Sequence, residues 1–144
     1  SSPVIVVDSG TATTVDLVTS EGVFRGGSIL PGLRLSARAM HDYTARLPLL
    51  NVDESREDLP ALPGRNTEEA MLAGLFIGQL GAVREIATRL QIAAEILFEQ
   101  QRTAELLVTG GGGRQLADHL PNAVFVDSLA LHGLALLAAE PSAA

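Results

Sequence analysis

The N-terminal stretch of the sequence constrains the fold more than any other. Four consecutive β-branched residues, Val4–Val7, predict a strand that is buried on both faces. An acid, a glycine and a cluster of hydroxyl residues follow in Asp8–Thr14, and a second β-rich run comes next in Val15–Val18. The sequence therefore predicts two strands joined by a turn that carries polar side chains.

This first turn has two interpretations. In the functional one, Gly10 allows close approach of the backbone or a positive φ. The Thr11 hydroxyl and nearby N–H groups then bind a phosphate oxygen, and Asp8 holds a cation or its water shell. In the structural one, Asp-Ser-Gly is an ordinary hairpin turn. The turn by itself leaves both open, so the rest of the chain has to decide.

Composition excludes several classes of protein. The 144 residues are 47% hydrophobic, which predicts one folded domain with a real core, and 3% aromatic, which predicts a core of Leu, Val, Ile and Ala. There is no cysteine and no lysine, so disulfides, thiolate metal sites and a Walker-type lysine are excluded. A formal charge of −7 argues against nucleic-acid binding through a basic surface.

Location and chain ends give further expectations. We expect no membrane span, because no apolar run approaches the roughly 20 residues that a span requires. A signal-peptide pattern is missing, which predicts a cytoplasmic protein. The chain opens with Ser1-Ser2-Pro3 and a strand follows almost at once. This opening predicts a processed chain or an excised fragment.

The first half of the chain predicts a three-stranded antiparallel meander and a helix. Its strands are Val4–Val7, Thr13–Thr19 and Val23–Ile29, and the connection Ser20-Glu21-Gly22 suits a tight hairpin with positive φ at the glycine. The pair Gly26-Gly27 marks a bulge or a place where backbone or ligand passes closely. The sequence then predicts a helix over residues 33–47, ended by Pro48.

The middle of the chain predicts an exposed acidic loop and a long helix. The loop covers Asn51–Gly64, and the helix covers residues 67–98 with Asn66 and Glu69 at capping-box spacing. We expect an apolar stripe formed by Met71, Leu75, Gly78, Ala82 and Ile86. The glycines at positions 74, 78 and 81 lower helix propensity, which predicts close packing against another backbone, either between subunits or within the chain.

The last third predicts strand, helix, strand and helix. A strand over Glu105–Val108 leads into Thr109–Gly113, whose four glycines leave bare backbone where a planar or anionic ligand could lie. A short helix over Arg114–Leu120 and a strand over Ala123–Val126 follow. An Ala/Leu-rich helix over Ser128–Ala139 closes the chain, and the tail beyond residue 140 is predicted to fray.

This order of elements resembles the ribonuclease H-like half-domain shared by actin, sugar kinases and Hsp70 chaperones. The resemblance implies an α/β fold in a single domain over residues 1–144. Its mixed sheet has three antiparallel strands followed by helices and two further strands. In such proteins nucleotide lies in a cleft between two halves of this type.

Five ordered motifs resemble type III pantothenate kinases. Residues 7–14 resemble the family's second phosphate motif, and residues 26–34 resemble its GG-x-I-x-PG-L segment. The segments Thr44–Pro48, Gly64–Thr67 and Thr109–Gly111 also match, in the family's order. These matches span nearly the whole chain.

The resemblance implies a reaction and roles for particular residues. The family transfers the γ-phosphoryl group of ATP to the hydroxyl of pantothenate, opening coenzyme A synthesis. Asp8 is then expected to hold a monovalent cation, K⁺ or NH₄⁺, and Thr67 to contact pantothenate. Magnesium is expected because ATP chemistry needs it. The remaining expected nucleotide contacts are Gly10, Thr11 and Ala12 at the phosphates and Gly110 and Gly111 at the adenine.

The sequence also departs from the family. It lacks the Asp-x-Gly-Asn-Thr phosphate loop and the Gly-x-Asp-Arg motif whose aspartate is the general base. We therefore expect the C-terminal half of such a kinase, inactive alone, with no catalytic base of its own. A homodimer through the 67–98 helix is expected by the same resemblance. The alternative is a non-catalytic actin-like module that binds nucleotide or only a protein partner.

Overall fold

A computed structural model describes residues 1–54 and 58–139 of the chain, and it forms five strands and four helices there. The bounds in chain order are β1 Val4–Ser9, β2 Ala12–Val18, β3 Phe24–Pro31, α1 Leu33–Asp42, α2 Thr67–Phe98, β4 Glu105–Thr109, α3 Gly113–Asp118, β5 Ala123–Phe125 and α4 Leu129–Ala139. The strands form one sheet in the order β3-β2-β1-β4-β5. The β1–β2 and β2–β3 pairs are antiparallel, whereas β1–β4 and β4–β5 are parallel. The predicted mixed α/β sheet is confirmed.

One face of the sheet carries the core. Ile5 and Val7 of β1 alternate with the half-buried Val4 and Val6, so the expectation of a strand buried on both faces is wrong. The reason is that α2 and α3 pack on the same face as Ile5 and Val7, while α4 has no buried residue. Each fully buried aliphatic side chain contributes roughly 1.5–3 kcal/mol.

The meander turns as the sequence predicts. Gly22 adopts φ +80° in the β2–β3 hairpin, and Gly26 adopts φ +87° in β3. The register of β2 and β3 shifts between Asp16 and Val18, which is the expected bulge. A Cβ on Gly27 would collide with the Val15 carbonyl of the neighbouring strand, so close backbone approach occurs at the same place.

Helix α1 ends at Asp42, five residues before the predicted end at residue 47. The Thr44 hydroxyl donates to the Met40 carbonyl at 2.6 Å, and the Tyr43 N–H donates to the Ala39 carbonyl at 2.9 Å. A hydroxyl that bonds back to the chain competes with continued helix. The last helical turn is therefore closed by Thr44, and Pro48 does not set the boundary.

Helix α2 begins with the predicted capping box. The Glu69 N–H donates to Asn66 Oδ1 at 2.9 Å, and the Arg65 N–H donates to Glu69 Oε2 at 2.8 Å. The predicted apolar stripe is only partly right. Met71 and Leu75 are buried, but Gly78 is exposed, and the remaining buried residues of α2 are Ala73, Phe76, Gln79, Leu80, Val83 and Ala94.

The glycines of α2 lie at open positions in the described part of the chain. Gly74, Gly78 and Gly81 are all exposed, and a Cβ added to any of them would meet no described atom within 4 Å. Close packing inside the chain, one of the two explanations offered for these glycines, is therefore not observed among residues 1–54 and 58–139. By length and composition alone α2 could also cross a membrane, with a mean hydropathy of 1.3 over its most apolar window, but core helices pass the same test.

The acidic connection before α2 is less exposed than predicted. Val52 is buried against Leu33 and Phe76. Leu59 packs both against that group of buried residues and against the group that includes Ile5 and Val7. Residues 55–57 in the middle of this loop, with the acidic Glu57, lie outside the described residues, as does the predicted frayed tail at 140–144.

Candidate functional site

The first turn and the glycine loop after β4 lie side by side. Strands β1 and β4 are parallel neighbours with Asp8 opposite Thr109, so both loops leave the same edge of the sheet. Gly110 has φ +89°, and a Cβ there would lie 2.5 Å from the Ser9 carbonyl oxygen and 2.6 Å from Asp8 Oδ1. The Gly112 N–H donates to the Ser9 carbonyl at 3.1 Å. The glycine loop can approach the turn this closely only without side chains.

A third loop braces the turn from the other side. The Gly32 N–H donates to the Thr11 carbonyl at 2.9 Å, and a Cβ on Gly32 would lie 2.6 Å from that oxygen. Within the turn, the Gly10 N–H donates to the Ala12 carbonyl at 3.1 Å. The turn is thus held by its neighbours on both sides.

The backbone conformation does not require a glycine at position 10. Its φ is not positive, and a Cβ there would make an ordinary contact of 3.6 Å with the Ala12 carbonyl. Of the two explanations offered for Gly10, close approach or positive φ, the second is therefore excluded.

The predicted site residues are accessible. Asp8, Thr11, Ala12 and Gly111 are exposed, and Gly10 and Gly110 are half-buried. Ser9 and Thr13 point to the opposite, buried side, where Gln79 Nε2 donates to Thr13 Oγ1 at 2.8 Å. The alternation of β1 therefore presents Asp8 to solvent and buries Ser9, whereas Thr11 is exposed because it lies in the turn, before β2 begins at Ala12.

Thr67 is not brought to this site within one chain. It is the first residue of α2 and is exposed. Helix α2 contacts β2 beside the first turn, where Gln79 donates to Thr13. Thr67 precedes Gln79 by a rise of about 18 Å along the helix axis, which places Thr67 away from the turn. A role for Thr67 beside the turn finds no support in the geometry of a single chain.

Two residues of the site were not predicted. The carboxylate of Glu54 lies 3.6 Å from Arg34 Nη2, and its Oε2 lies 3.8 Å from the position of a Cβ on Gly111. Only 14% of the Glu54 side chain is exposed, against 71% for Arg34. No motif marks Glu54, because its neighbours in space are distant in sequence, and the role of Arg34 was undecided from sequence.

The site contains oxygen donors suited to a hard cation. Asp8 offers a carboxylate beside the bare backbone of Gly110, and the Ser9 carbonyl is adjacent. Oxygen ligands of this kind suit alkali and alkaline-earth ions. Among residues 1–54 and 58–139 no group of three or more His, Cys, Asp or Glu side chains could hold a metal ion. A cation here would therefore depend on Asp8, backbone oxygens and its ligand.

Other polar and apolar features lie away from this edge. The pKa of Glu21 is lowered to about 2, mainly by a hydrogen bond from the Ser20 hydroxyl, at the opposite end of the sheet. A cavity of about 460 Å³ lies between α2, β4 and β5, with apolar walls that include Ile5, Ile92 and Val124. Neither feature adjoins the first turn.

The matching family model and the curated relatives agree on one family. A family model described as type III pantothenate kinase matches residues 1–89. The type III pantothenate kinase of Chlorobaculum parvum is 43% identical over 138 residues, covering 94% of this chain and 49% of the relative. That of Alkalilimnicola ehrlichii is 42% identical, covering 94% and 51%. The chain spans about half the length of the curated relatives it matches.

A solved structure has a similar fold. It is a conserved protein of Campylobacter jejuni, described as a Baf family transcriptional activator, and its TM-score is 0.65 at 25% identity. The match covers 93% of this chain and 56% of that one. The five-stranded α/β arrangement therefore occurs as part of a longer chain in that protein.

Proposed function

Since the chain belongs to the type III pantothenate kinase family, we propose that it forms one wall of the ATP site of such a kinase. The observation that carries the proposal is the contact between the first turn and the glycine loop. Gly110 touches Ser9 and Asp8, although about a hundred residues separate the two motifs in sequence. The two segments expected to hold phosphate and adenine therefore form one continuous surface.

The proposed reaction is transfer of the γ-phosphoryl group of ATP to the hydroxyl of pantothenate. Gly10, Thr11 and Ala12 would contact the phosphates through N–H groups and the Thr11 hydroxyl, and Gly110 and Gly111 would lie against the adenine. Phosphoryl transfer depends mainly on positioning and charge neutralisation, which donor-rich turns provide without a lysine.

Asp8 is the residue proposed to hold the monovalent cation, K⁺ or NH₄⁺. Its carboxylate is exposed and lies beside backbone oxygens at the edge where the phosphates would lie. A bound cation supplies positive charge there, and Mg²⁺ would enter with ATP, bound chiefly by the nucleotide's phosphates.

The chain is further proposed to be one actin-like, ribonuclease H-like half of a two-part cleft, inactive alone. The sequence lacks the first phosphate loop and the base motif of the family, and the chain spans about half the length of its relatives. The second half would supply the opposing wall and the general base. The alternative considered from sequence, a non-catalytic actin-like module that binds nucleotide or only a protein partner, is not favoured by the family match.

A homodimer through α2 is part of the same proposal. Gly74, Gly78 and Gly81 lower helix propensity and leave open surface that nothing in the described chain fills. A second copy of α2 could approach this bare face closely. Thr67, which is distant from the first turn of its own chain, would then have a route to pantothenate only through assembly.

We also propose a cytoplasmic location, and neither a membrane nor nucleic acid as a partner.

Calorimetry with a non-hydrolysable ATP analogue tests the proposed function. We expect binding in the presence of K⁺ and Mg²⁺, weakened by removing K⁺ and by Asp8→Asn or Thr11→Val. An exposed threonine far from the site, Thr88, provides the control Thr88→Val, which should bind like the parent chain. We expect no phosphopantothenate from the chain alone. Binding that ignores Asp8 and Thr11 would contradict the proposal.

A further inference from the structure

We propose that Glu54 recognises the ribose of the nucleotide by accepting hydrogen bonds from its vicinal hydroxyls. The inference rests on the proposed function, because it assigns a residue to the ATP that the chain is proposed to bind. No sequence motif assigns Glu54 a role.

The position of Glu54 carries the inference. Its Oε2 lies 3.8 Å from the position that a Cβ on Gly111 would occupy, and 3.6 Å from Arg34 Nη2. Arg34 is in the first turn of α1, two residues after Gly32, whose N–H donates to the Thr11 carbonyl at 2.9 Å. Glu54 therefore lies between the glycine loop and α1, the helix whose N-terminal end adjoins the first turn through Gly32 and Thr11.

This is the place that the ribose must occupy. In ATP the ribose joins adenine to the triphosphate. A nucleotide with adenine against Gly110–Gly111 and phosphates against Gly10–Thr11 has its ribose between those loops. The carboxylate of Glu54 has acceptor capacity only, and a vicinal diol offers two donors. Hydrogen bonds to a charged acceptor are strong enough to change affinity by about tenfold or more.

Arg34 acts as a positioning residue for Glu54. The Glu54 side chain is largely covered, with 14% exposed, and the guanidinium at its outer side is 71% exposed. An ion pair in this arrangement contributes little to stability by itself. Its consequence is geometric, since it holds Oε2 of Glu54 beside Gly111.

Titration of the ¹⁵N-labelled chain with ATP and with 2′,3′-dideoxy-ATP tests the inference, using amide shifts of Gly10 and Gly111 to obtain each Kd. We expect the parent chain to bind ATP about tenfold more tightly than the dideoxy nucleotide. Glu54→Ala should make the two Kd values equal. Glu54→Gln, which keeps a neutral acceptor, and Arg34→Ala should each retain part of the preference.

Asp118→Ala is the control. It removes one negative charge at an exposed position of α3, which should leave the ratio of the two affinities unchanged. Equal Kd values in the parent chain, or a preference that survives Glu54→Ala, would overturn the ribose assignment while leaving nucleotide binding intact. Absence of any shift with either nucleotide would overturn both this inference and the proposed function.

Discussion

Glycines in two regions of this molecule have opposite surroundings. In the loops around the first turn, a Cβ on Gly110 or Gly112 would lie 2.5–2.7 Å from atoms of Ser9. On the outer side of α2, a Cβ on Gly74, Gly78 or Gly81 would meet nothing within 4 Å. The loop glycines are required by contacts inside the chain. The helix glycines have no such contact, which favours a surface that something else approaches.

The loop glycines are thus explained by the fold of a single chain, whereas the helix glycines favour assembly with another chain. Glycine in a helix costs up to about 1 kcal/mol relative to alanine, so three of them weaken α2 without a compensating contact in the described chain. Glycine in the loops allows three chain segments to meet at one edge of the sheet.

Gly110→Ala should have the largest effect. The substitution forces a Cβ onto a residue with φ +89° and against the Ser9 carbonyl, so we expect a loss of about 3 kcal/mol in the free energy of unfolding. Urea denaturation measures it. The matched control is Gly111→Ala, where a Cβ would meet only Glu54 Oε2 at 3.8 Å. Equal losses for the two variants would show that the loop is not constrained as described.

Gly10→Ala should separate stability from binding. Its Cβ would make an ordinary 3.6 Å contact, so the free energy of unfolding should change by less than about 0.5 kcal/mol. If a phosphate lies against this residue, the added methyl should weaken binding of an ATP analogue by about tenfold, which is about 1.4 kcal/mol. A variant that binds as tightly as the parent chain would remove Gly10 from the proposed phosphate contacts.

Gly78→Ala should act in the opposite direction on the helix. Since nothing lies within 4 Å, the monomer should gain up to about 1 kcal/mol from helix propensity. The proposed dimer should weaken, because the methyl group occupies the surface that a second α2 approaches. Sedimentation equilibrium over a range of concentrations measures the association. Tighter association, or a parent chain that stays monomeric, would exclude this face as the dimer interface.

Leu134→Glu should have the smallest effect on the isolated chain. Helix α4 has no buried residue, and Leu134 is 61% exposed, so we expect a change within about 0.5 kcal/mol in the free energy of unfolding. Leu80→Glu, at a residue that is 5% exposed in the core, is the contrasting variant and should unfold the chain. Marked destabilisation by Leu134→Glu would mean that α4 packs on its own sheet.

Much of the fold follows from local sequence signals. Four β-branched residues, the hairpin with Gly22 at φ +80° and the Asn66–Glu69 capping box each depend on neighbours within a few residues. These features were predictable for that reason. The adjacency of the first turn and the glycine loop was not predicted, because it depends on the parallel pairing of β1 with β4 across about a hundred residues.

The remaining features depend on contacts between distant segments. The one-sided burial of β1 reflects which helices pack on the sheet. The early end of α1 is an exception, since it follows from a local hydrogen bond between Thr44 and Met40. Glu54 lies beside Gly111 although 57 positions separate them in sequence, and no sequence pattern predicts this proximity. Local periodicity does not carry such information.

The first turn and the glycine loop are proposed to form one nucleotide-binding surface. Amide shift mapping of the ¹⁵N-labelled chain with an ATP analogue, Mg²⁺ and K⁺ tests this proposal. We expect the largest shifts to cluster at Gly10, Thr11, Gly110 and Gly111 and to be weaker in Asp8→Asn. Shifts confined to the cavity between α2, β4 and β5, or no shifts at all, would contradict it.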